Sequence, residues 1–242
     1  MHELNNLLKI LIFSIAIGCA AAASAQQSVG KIGIGLDPRT LGVQAQAEEL
    51  FQKEKYQRAY VIYRNDLAPI GDKYAQYMLG FMSLSGLGVE QDPVLASAWY
   101  RLAAERGEPK EFVDVRDELL GQLDAVDRSR SEEIYLGLRR EYSDIAISMR
   151  EARDAFEYLK QVTTGSRLGS SSSAVTIVEP RAGSTVSGDA FIYRVRSRMQ
   201  DYLDHITATL GIDGIDAETV TAGELSDLEE QVRDYNRRSG SR

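Results

Sequence analysis

The stretch AQYMLGFMSLSGLGVEQDPVLASAWYRLAAERG, residues 75–107, decides the fold. Apolar residues recur at helical spacing from about Asp72 to Ser85, and the run Ser85-Gly86-Leu87-Gly88-Val89 breaks the pattern. Asp92-Pro93 then opens a second helix, because aspartate caps a helix N-terminus well and proline suits the first helical position. That helix carries Leu95, Ala96, Trp99, Leu102 and Ala103 and stops at Gly107. Gly86 and Gly88 permit positive φ in a tight turn, Val89 packs the turn down, and Trp99 and Tyr100 supply large apolar area between helix layers.

The same pattern recurs upstream. Ala59 and Ala96 lie 37 residues apart, as do Tyr63 and Tyr100, while Ala68 and Ala104, and Gly71 and Gly107, lie 36 apart. Two helices per unit at that period mark an α-solenoid. In order and spacing, Ala75, Leu79, Gly80, Phe81, Gly86, Gly88, Val89, Asp92, Ala96, Trp99, Tyr100, Ala103, Ala104 and Gly107 resemble the Sel1-like repeat, a relative of the tetratricopeptide repeat. The preceding unit, about 45–74, has the short turn Lys53-Glu54-Lys55 and is more similar to a tetratricopeptide unit. Beyond Gly107, Phe112, Val115, Leu119 and Leu123 fit one more helix. The resemblance implies an all-α fold, a short solenoid of such helix pairs. It also implies an adaptor that binds a protein or peptide, as exported bacterial proteins of this kind do in envelope, signalling or host-contact assemblies.

Working outward toward the start, an apolar run from Ile10 to Ala23 follows Lys9 and ends in Ala23-Ser24-Ala25. It reads as a signal peptide over residues 1–25, and so as export to the periplasm. Cys19 offers an alternative, since Ala16-Ile17-Gly18-Cys19 loosely matches a lipobox. Cleavage there would make an outer-membrane lipoprotein, the one route by which the chain would meet a membrane. Residues 26–41 read as a flexible leader, and helical spacing begins near Gly42.

Toward the C-terminus, Ser129 to Val162 reads as one long helix opened by the capping box Ser129-x-x-Glu132. Its stripe of Ile134, Leu138, Tyr142, Ile145, Met149, Ala152, Phe156 and Leu159 either caps the solenoid or joins two chains as a homodimer through residues 132–159. The repeat domain therefore spans 42–162, a Ser/Gly linker follows over 163–173, and 174–242 form a small, mostly helical region. Within that region Ala174 to Val178 is β-prone, and Pro180 and Gly183 supply a turn for a short hairpin or an extended segment. Ser187 or Asp189 caps one further helix, and Thr221-x-x-Glu224 caps another.

Residues for catalysis are scarce. Removing residues 1–25 leaves His205 as the sole histidine and no cysteine. No nucleophile elbow accompanies it, and zinc sites built on cysteine or several histidines are unavailable. Gly33-Ile-Gly35-Leu-Asp-Pro38 begins like a dinucleotide fingerprint but ends in proline. Asp213, Asp216 and Glu218 lack the spacing of a calcium loop. The reading is a non-enzymatic chain without cofactor, with a carboxylate-based hydrolase as the remote alternative. A net charge of −8 suits nucleic acid poorly. Lys73, Gln76, Tyr77 and Ser83, on the first helix of the repeat, are the expected solvent-facing positions of a partner-binding face.

Overall fold

The computed structural model describes residues 38–164, 176–178 and 185–238. The signal peptide, Cys19, most of the leader and linker residues 165–173 lie outside them. The described chain is helical throughout, apart from one pair of three-residue strands. It divides into two compact units, Thr40–Ser143 and a second that begins at Asp144.

In the first unit, α1 spans Pro38–Gln52 and so begins four residues before Gly42. Proline's fixed φ suits this opening position. The Lys53-Glu54-Lys55 turn places Glu54 at φ 58, a left-handed conformation unusual for a residue with a Cβ. Helix α2, Tyr56–Ile62, runs on as a π-helical turn over Tyr63–Leu67 and a 3-10 turn over Ala68–Ile70. Pro69 explains this change. It has no N–H to donate and its ring clashes with the carbonyl four residues back, so the ladder widens and the Ala68 amide reaches the Tyr63 carbonyl.

The decisive stretch folds as its sequence predicts. Helix α3 spans Lys73–Ser85 and α4 spans Pro93–Ala103. Asp92 caps α4, accepting from the Val94 and Leu95 amides at 2.9 Å each. Gly86 and Gly88 both take positive φ. Gly88 also lies against the start of α2, where a Cβ would sit 2.4 Å from the Gln57 nitrogen. Gly80 lets α3 approach α4 so closely that a Cβ there would lie 2.7 Å from the Tyr100 ring. Ala59, Ala96, Tyr63 and Tyr100 are all buried, as their repeated spacing predicts, and Trp99 is fully buried beside them.

Helix α5, Lys110–Gln122, buries Phe112, Val115 and Leu119. The long helix expected from Ser129 is instead two helices, α6 over Ala125–Tyr142 and α7 over Asp144–Thr164. Asp124 caps α6, so Ser129 lies inside the helix rather than at its start. The break falls at Ser143, whose ψ of 152 is extended. Serine and aspartate compete for backbone hydrogen bonds and favour such junctions over helix interiors. The division of the apolar stripe follows from this break. Tyr135 and Tyr142 belong to the core of the first unit, and Ile145, Met149, Ala152 and Leu159 to the core of the second. The expected stripe over residues 132–159 is thus shared between two cores rather than carried by one helix.

In the second unit, β1 (Thr176–Val178) pairs antiparallel with β2 (Thr185–Ser187), with Ile177 opposite Val186. Helix α8, Gly188–Leu210, is capped by Ser187. Helix α9, Ala222–Arg238, opens with the reciprocal box the sequence predicts. The Thr221 amide donates to Glu224 at 2.8 Å and the Glu224 amide donates to Thr221 at 3.2 Å. Met199, Leu203 and Ile206 of α8 pack with the α7 residues named above and with Leu225, Leu228 and Val232 of α9.

Candidate functional site

The four residues expected to face solvent on α3 are all buried. Lys73, at the helix start, donates to Glu105 at 2.9 Å and to the Gln76 side-chain oxygen at 3.2 Å. Gln76 donates to the Tyr142 carbonyl at 3.0 Å, satisfying one of the orphan acceptors at the end of α6. The Tyr77 ring stacks on Phe112 of α5, centroids 4.6 Å apart. Ser83 turns back on its own helix and donates to the Leu79 carbonyl at 2.8 Å. These positions hold the interior together, and a docking surface built on them is excluded.

The signal that could have shown this lies in α3 itself. Nearly every residue from Ala75 to Leu84 is apolar, small or uncharged. A helix apolar on every side is a buried helix.

The polar chemistry of the first unit gathers instead where α6 lies on α4. Ser97 donates to the Val94 carbonyl at 2.7 Å. Its single proton is thereby used, so Ser131 of α6 donates to Ser97 across the 2.6 Å between their hydroxyls. Arg101 pairs with Glu132 at 2.6 Å, and its guanidinium carbon sits 3.7 Å from the Tyr135 ring centroid. Arg139, buried, lies 6.0 Å from the same ring. Burial pushes the Tyr135 hydroxyl above its ordinary pKa, the nearby Glu105 and Glu132 push the same way, and Arg139 and Arg101 oppose them. Trp99 packs on Tyr142 at 5.2 Å, with the Arg64 guanidinium 5.6 Å from the indole.

A second polar group joins α1 to the start of α3. Glu48 accepts from the Tyr63 and Tyr74 hydroxyls at 3.2 Å each. Asp72 accepts from Gln44 at 2.5 Å and from the Ala75 amide at 3.1 Å. Burial raises the Asp72 pKa against those hydrogen bonds and the nearby Arg106. Asp72 thus works as a helix cap and Glu48 as a clasp for two phenols, both structural tasks. His205 is half-buried on α8, and among the described residues no group of three His, Cys, Asp or Glu is placed to hold a metal ion.

Residues 73–108 match the family model of the Sel1 repeat, covering α3, the glycine turn, α4 and the residues just beyond. Neither a curated protein nor a solved structure matches the chain. Sel1 repeats generally mediate protein–protein interaction, and this chain carries one at the centre of its first helical unit.

Proposed function

We propose that the chain is a non-enzymatic protein–protein interaction or scaffold module of the bacterial cell envelope. The observation that carries this reading is the Sel1 repeat at residues 73–108, folded within an all-helical unit. Stacked helix pairs present extended surfaces suited to peptides and helices. Two carboxylates of the first unit, Glu48 and Asp72, support the same reading, being engaged in hydrogen bonds that fix the fold. The envelope setting rests on the apolar run over residues 10–23 and the Ala-Ser-Ala that closes it. Periplasmic export with cleavage after Ala25 is the form proposed, and lipidation at Cys19 is the other product this N-terminus supports.

Photo-crosslinking tests the binding role. A photoreactive residue replaces Val126 or Glu133, both exposed on α6, or Asp227 on α9 as a control, in cells that make the full chain. The reading expects one protein adduct from the repeat-unit positions. No adduct from either position would sink it. The mass of the mature N-terminus decides between a chain starting at Gln26 and one starting at a lipidated Cys19.

A further inference from the structure

We draw no further inference here: the strongest candidate, the partly exposed aromatic patch on the second unit where Tyr158 of α7 meets the Phe191 ring of α8 with centroids 5.8 Å apart, is an apolar face, and nothing in the structure shows what covers it.

Discussion

At the scale of single residues, Gly88 and Lys73 show what spacing can and cannot disclose. Gly88 was legible because a glycine in a short inter-helix turn has a local cause. Its φ of 74 and its approach to the α2 backbone both forbid a side chain. Gly88→Ala should destabilise the chain by about 2–4 kcal/mol, as strained backbone and forced repacking do. Urea unfolding checks this, and a loss close to the zero expected of a surface substitution would contradict the contact. Lys73 was misplaced because helical periodicity orders residues around an axis without showing which neighbours cover them. The helices that cover α3 come from segments where the repeat pattern fades, such as Phe112 of α5 on Tyr77. Lys73→Ala should cost about 2–3 kcal/mol, less than for a fully buried pair because Glu105 keeps some contact with water. Lys73→Met together with Glu105→Leu should recover most of that loss, since two apolar groups remove both the charge and its desolvation. If the double variant is as unstable as Lys73→Ala, the ion pair contributes more than compensation for its own burial.

At the scale of elements, termini were legible wherever a cap was written into adjacent residues. Asp92-Pro93 and Thr221-x-x-Glu224 each start a helix where the sequence places one. Ser129-x-x-Glu132 has the same form yet lies inside α6, because Asp124 captures the Val126 and Asp127 amides one turn earlier. A motif that competes with an equally good cap nearby does not decide a boundary alone. The break at Ser143 escaped for a related reason. The apolar stripe continues across it at the correct average spacing, while its two halves serve different cores. The two aspartate caps should also differ in weight. Both accept two amides, but Asp124 is exposed and Asp92 is half-buried against the repeat turn. Asp92→Ala should cost about 1–2 kcal/mol and Asp124→Ala about half of that, within the range known for N-caps. Thermal unfolding of the two variants provides the comparison, and a larger loss for Asp124→Ala would reverse the ranking.

For the whole molecule, the tyrosines distinguish the two units. Burial raises the pKa of Tyr63, Tyr74, Tyr100 and Tyr135 in the first unit, and of Tyr202 in the second. A phenol whose folded pKa exceeds its unfolded value of ~10 binds its proton more tightly when folded. Its contribution is therefore fully present below pH ~10 and is lost as pH rises above that value. Tyr63 and Tyr100 are almost wholly enclosed, so each should remove about 1.4 kcal/mol of stability per pH unit in that range. Glu48 deepens the effect at Tyr63 and Tyr74, since a carboxylate beside a phenolate repels it. A domain stabilised by only ~5–15 kcal/mol cannot absorb several such losses. The first unit should therefore unfold cooperatively in alkali before the second. Its buried phenols should ionise in one steep step that coincides with loss of helix protection over residues 56–142, while α8 and α9 keep theirs to higher pH. Tyrosinate absorbance combined with hydrogen exchange would follow both events. Gradual ionisation of all the tyrosines with exchange protection intact would show that water reaches Tyr63 and Tyr100 in the native fold, and that the packing around Glu48 and Gly80 is looser than these contacts imply.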